Sequence, residues 1–205
     1  MAEKGTGLLG RDALVQEAIQ DPRKINGIIS SLYDEDMEQR FVAAKALGEL
    51  ARIMPDRVSR KWRRIFEAFD DTMSCWGIAE AMGEIARNIP GLRGRISLRL
   101  RKFQRDECTC QGYLWAVCRI GQVDMEKVRD WVPDLVSALE SKNVCIVGQA
   151  VWALGELGIG QGRERIRALL GDARETWLYE NDAVLVKKVG TIAAEALAKL
   201  EEPFR

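Results

Sequence analysis

Two side-chain types recur in this sequence at spacings that could do chemistry. Four of its five cysteines are phased, with Cys75 and Cys110 separated by 35 residues and Cys108 and Cys145 by 37. Tryptophan recurs at a similar interval, at Trp76, Trp115 and Trp152. Thiolates are what zinc or an iron–sulfur cluster takes, and a helix N-terminus favours the thiolate. Against a shared site, neighbouring packed helices stand about 10 Å apart, and Cys108-Thr109-Cys110 lacks the CxxC spacing. Cys75, Cys108, Cys110 and Cys145 are therefore metal candidates only as an alternative to small apolar side chains at tight helix starts. No metal or cofactor is expected. Histidine is absent, which excludes Ser-His-Asp, Cys-His and His-metal chemistry. No catalytic residue is assigned, and a non-enzymatic role is expected.

A second set of candidates is basic. The chain has 31 Lys and Arg against 31 Asp and Glu, but the balance is uneven. Residues 1–50 sum to −3, residues 51–105 to +7 and residues 106–205 to −4. The excess lies in RVSRKWRR (57–64) and LRGRISLRLRKFQR (92–105). Arg57, Arg60, Lys61 and Arg64 could line one face, with Arg95, Arg99 and Lys102 beside them, as a patch for phosphates or nucleic acid. The neutral whole argues against a generic nucleic-acid protein. Two glycine patterns, at 5–10 and 158–162, carry no phosphate cradle, because neither follows a strand and opens a helix.

These residues need elements to position them. Five related segments align as ALGELARIMPD at Ala46, AMGEIARNIPG at Ala81, AVCRIGQVDME at Ala116, ALGELGIGQGR at Ala153 and AAEALAKLEEP at Ala193. The intervals are 35, 35, 37 and 40 residues. That period with helical apolar spacing implies stacked helix pairs. Amphipathic segments at 25–33, 62–69, 96–103, 131–140 and 163–171 supply the first helices, and Pro55 and Pro90 stop second helices. DALVQEAIQ (12–20) reads as an N-terminal half-pair. TWLYENDAVLVKK (176–188) lengthens the last interval and reads as a short β-hairpin capping the stack.

The ALGELG and AMGEIA motifs, the helix-pair period and the terminal prolines resemble HEAT-like repeats, especially the short phycobilisome-lyase type. The resemblance implies an all-α chain, a right-handed α-solenoid of about five helix pairs, to which the residues at 176–188 add a hairpin before the last helix. It implies one domain over 1–205, with a cap at 1–21 and repeats at about 22–56, 57–91, 92–127, 128–161 and 162–201. It is specific for architecture and poor for function, since such repeats serve scaffolds, regulators, DNA glycosylases and bilin lyases. A bilin-lyase-like or cofactor-handling role through the phased cysteines is the corresponding alternative.

The aligned copies separate scaffold from surface. The anchor alanines and the residues one and four further on are apolar; Gly48, Gly83 and Gly155 are small where neighbouring pairs pack. Lys45, Glu80, Trp115 and Trp152 precede the anchors, and Glu49, Glu84, Arg119 and Glu156 follow on the same helix stripe. Further back lie Phe41, Trp76 and Gln111. In HEAT-like solenoids this stripe is the concave floor. The leading expectation is a scaffold that binds a segment of another protein there, through Trp76, Glu80, Trp115, Arg119, Trp152 and Glu156. The alternative is that the stack buries these rings. The apolar runs fall short of the ~20 residues that cross a bilayer, so no membrane is expected. An odd number of cysteines and the lack of an export signal at the start point to the cytoplasm.

Overall fold

The computed structural model describes residues 6–61, 77–105, 107–180 and 183–201. These residues are mostly helical, with one small antiparallel sheet. The helices are α1 (Thr6–Gln20), α2 (Ile25–Ser30), α3 (Met37–Ile53), α4 (Ile78–Asn88), α5 (Pro90–Leu100), α6 (Cys110–Gly121), α7 (Val132–Ala138), α8 (Val144–Glu156), α9 (Arg163–Ala168) and α10 (Val189–Glu201). Residues 55–61 are also helical. Strands β1 (Glu175–Glu180) and β2 (Ala183–Lys188) pair between α9 and α10, with Trp177 opposite Val186 and Tyr179 opposite Val184.

Local chemistry fixes the helix starts. The carboxylates of Asp21 and Asp36 and the side-chain amide of Asn143 accept hydrogen bonds from the main-chain N–H two residues on, heading a 3-10 turn, α3 and α8 respectively. Pro90 terminates α4 and is also the first residue of α5, where its missing N–H costs nothing. Helix α5 therefore begins six residues before the expected segment at 96. The expected helix over 62–69 lies outside the described residues.

The five anchor alanines are fully buried. Contacts run from α1 to α3, α3 to α4, α4 to α6, α6 to α8 and α8 to α10. The small column is what lets these helices approach. A Cβ at Gly83 would stand 2.4 Å from the Ala116 Cα, and one at Gly155 2.8 Å from the Ala196 Cα. Asn88 adds a polar tie, donating from Nδ2 to the carbonyls of Gly48 in α3 and Glu84 in α4.

The hairpin does not merely cap an end. Strand β1 packs on α8, and β2 reaches α3, on the far side of α4 and α6. Its base is tied to α10 by Lys187, which pairs with Glu180 of β1 and Glu195 of α10. Among the described residues no helix is long and apolar enough to cross a membrane.

Candidate interaction site

Trp115 of α6 and Trp152 of α8 are brought together as the repeat predicts. Their rings stack with centroids 5.0 Å apart and planes 12° from parallel. Phe41 of α3 meets the Trp115 ring edge-on at 5.1 Å, and Lys45 and Arg119 place cations over it at 5.7 and 5.3 Å. The expected open floor is corrected here. Trp115 is 0% exposed and Trp152 5%, because Tyr179 of β1 is inserted against the same cluster. The Tyr179 ring stacks on Phe41 at 4.6 Å, with planes 3° apart, and meets Trp115 edge-on at 6.0 Å. Trp76, Cys75 and Arg64 lie outside the described residues.

The hairpin is held through its main chain as well. Gln149, fully buried in α8, accepts from the Tyr179 N–H at 3.1 Å and donates to the Tyr179 carbonyl at 3.4 Å. Gln111 of α6 donates to the Trp177 carbonyl at 2.9 Å. Two side-chain amides thus read the backbone of an extended segment, while Phe41 and Trp115 receive its aromatic side chain. Thr176 fits over Gly148, where a Cβ would come within 2.6 Å of its methyl group.

Glu80 lies beneath this contact. Its carboxyl carbon would be 2.5 Å from a Cβ at Gly112, so the bare backbone of α6 makes its berth. Burial pushes the Glu80 carboxyl up to about 7; hydrogen bonds from its own main chain and the Tyr179 hydroxyl, and the charge of Arg40, pull it down by less. Burial and the Glu80 charge raise the Tyr179 phenol in turn. Among the described residues Glu80 Oε2 is buried without a hydrogen-bond partner.

A polar strip runs beside the rings. Buried Glu84 accepts from Arg119 Nε at 2.6 Å and lies 3.5 Å from Lys45. The Gln122 amide oxygen accepts from Arg87 and Arg119, and its Nε2 donates to Glu156 at 3.3 Å. Glu156 also pairs with Lys199 of α10. Of the expected polar residues, Arg119 lies over the Trp115 ring, whereas Glu80 is engaged with Tyr179 and Glu156 with Gln122 and Lys199.

The other candidates separate. Arg57, Arg60 and Lys61 join Arg23 around a cleft of about 500 Å³. Arg95, Arg99 and Lys102, on α5 and the turn after it, do not line that cleft. Cys110 opens α6 and is buried; Cys145, next to the start of α8, is half-buried; Cys108 is exposed. Among the described residues no three His, Cys, Asp or Glu side chains cluster as metal ligands. Burial drives the Cys118 thiol far above its usual range, so it stays protonated.

Neither a family model nor a curated protein matches the chain. Solved structures do. The crystal structure of one engineered protein from the Northeast Structural Genomics Consortium superposes with a TM-score of 0.59 at 18% identity, covering 97% of this chain and 93% of that one. A second from the same consortium gives 0.52 at 17% identity, covering 94% of this chain and 53% of that one. At such identities the likeness is one of fold alone.

Proposed function

We propose that the chain is a right-handed α-solenoid of about five HEAT-like helix pairs, and that it serves as a non-enzymatic scaffold binding an extended segment of another protein. The repeat period and the serial contacts from α3 to α10 support the architecture. The observation that carries the function is the treatment of β1: Gln111 and Gln149 grip its main chain, and Phe41 and Trp115 accept its Tyr179 ring. Main-chain hydrogen bonds plus a side-chain pocket are the elements of extended-peptide recognition. The hairpin is then a resident occupant, and an incoming segment with an aromatic residue takes its place. The cytoplasm is the setting in which its cysteines stay reduced; Cys118 and Cys145 are free thiols.

Selection of the full chain against a randomised peptide library tests this. Enriched peptides are expected to be extended and aromatic, and to lose at least tenfold in affinity for Gln149→Leu or Phe41→Ala variants whose circular dichroism is native. Failure to enrich any peptide, or equal binding to both variants, rejects the reading.

A second reading is phosphate or nucleic-acid binding by the cleft of Arg23, Arg57, Arg60 and Lys61, whose lining includes no carboxylate among the described residues. It predicts a steep loss of nucleic-acid affinity with salt and with Arg60→Ala, and insensitivity to Gln149→Leu.

A further inference from the structure

The way β1 is seated shows what its berth can select. Successive residues of a strand alternate in face, so Thr176 and Leu178 share one side of β1, and Trp177 and Tyr179 the other. Thr176 and Leu178 are buried, whereas Trp177 is 49% exposed. Thr176 occupies a hollow between α8 and α10: a Cβ on Gly148 would stand 2.6 Å from its methyl carbon and 3.3 Å from Ile192 Cδ1. Such a hollow takes a short side chain and no long one. Gln111 holds the next residue, Trp177, by its carbonyl, a group that every residue offers. That position is read through its main chain.

Glu80 completes the aromatic end. The Tyr179 hydroxyl donates to its carboxyl, and both residues are buried. A ring without the hydroxyl leaves a buried polar group unpaired, which a site of this kind penalises far more than a purely apolar one does. A phosphorylated ring fits worse still. It brings a charge of about −1.5 to −2 against a buried carboxyl. The Arg40 charge acts on the same carboxyl, but its guanidinium also donates to the carbonyls of Asp34 and Glu35. A single shared cation does not offset the desolvation of a phosphoryl group.

We infer that the berth of β1 selects one pattern in an incoming segment: a small residue, any residue, an apolar residue and then an unmodified tyrosine. Phosphorylation of that tyrosine releases the partner. The inference rests on the reading of this berth as a peptide site and names its ligand. Gly148 and Glu80 set the specificity, while Gln111 and Gln149 hold the main chain.

Fluorescence anisotropy of labelled peptides with the β1 sequence ETWLYE, added to the full chain, tests this. A Tyr179→Ser chain with native circular dichroism should bind the parent peptide at least tenfold tighter than the unaltered chain, because its resident strand competes less. Within the peptide, Trp177→Lys should change affinity less than threefold. Tyr179→Phe should weaken it at least fivefold, Thr176→Leu at least tenfold, and phosphorylation of the tyrosine at least fiftyfold. Glu80→Leu in the chain should erase the preference for Tyr over Phe, an effect that a general loss of packing does not produce. If Tyr179→Ser does not fold, the same peptides are ranked on the unaltered chain. Absence of binding by every peptide rejects the peptide site itself and this inference with it. Equal binding of all the peptides, or tightest binding of the phosphorylated one, leaves the site standing and overturns the selection.

Discussion

Gln149 holds the main chain of Tyr179 from both sides, taking its N–H at 3.1 Å and giving a hydrogen bond to its carbonyl at 3.4 Å. Both partners are buried, so neither main-chain group has water to fall back on. Gln149→Leu keeps the volume and strands two polar groups, each costing about 1–3 kcal/mol. The expected outcome is a loss of about 2–4 kcal/mol in urea unfolding. Amide exchange should accelerate at Tyr179 in particular, and unchanged exchange there would mean that the hairpin is held by other contacts.

Glu80 makes stability depend on pH. Its folded pKa, about 7, stands above the ordinary value of 4.5, so the folded state favours the protonated acid. The contribution is whole below pH 4.5, falls as pH rises from there, and is gone above about 7. Each pKa unit corresponds to about 1.4 kcal/mol. Glu80→Gln, a permanent neutral mimic, should therefore match the parent near pH 4 and exceed it by about 1–3 kcal/mol at pH 8. Urea midpoints for both proteins at pH 4, 6 and 8 check this; a difference that stays flat across the series rules the linkage out.

The repeat made most of this arrangement legible in advance. The anchor alanines, the small column and the stripe carrying Phe41, Lys45, Gln111, Trp115, Arg119 and Trp152 all follow from aligning five segments, because a periodic structure repeats its burial along the chain. The hairpin at 176–188 was legible too, from its β-favouring residues. What covers the rings was not. That Tyr179 reaches Phe41, 138 positions earlier in the chain, is a long-range contact that no local pattern encodes. A local clue existed in Gln149, the single amide in the apolar run VCIVGQAVWA. A polar group so placed needs a partner, but its identity required the fold. Glu80 misled in the same way: a charged residue in the stripe suggested water, whereas Gly112 and Tyr179 bury it.

Glycine substitutions separate close packing from mere helix interior. At Gly83 a Cβ would lie 2.4 Å from the Ala116 Cα, backbone that cannot step aside. Gly83→Ala should push α4 from α6 and cost about 1–3 kcal/mol, as overpacking does. At Gly94, on the exposed side of α5, a Cβ meets nothing within 4 Å. Gly94→Ala should stabilise by about 0.4–1 kcal/mol through helix propensity and the unfolded state. Thermal melts of the two variants are expected to shift in opposite directions, and a destabilised Gly94→Ala would contradict the open surroundings of Gly94.

The ion pair between Glu84 and Arg119 is a strut between α4 and α6, and removing one member differs from removing both. Glu84 is 3% exposed and Arg119 has a half-buried guanidinium over the Trp115 ring. Arg119→Met leaves the buried Glu84 carboxylate with Lys45, at 3.5 Å, as its remaining ion-pair partner among the described residues. Breaking a buried pair from one side costs about 3–5 kcal/mol, since the remaining charge keeps its desolvation penalty. Lys45 moderates this, so a loss of about 2–3 kcal/mol is expected for Arg119→Met. Adding Glu84→Gln removes the stranded charge, and the double variant should recover at least half of that loss. Urea unfolding of the parent, both single variants and the double variant gives the coupling directly. A double variant as unstable as the sum of the two singles would show that Arg119 acts by covering Trp115 rather than by neutralising Glu84.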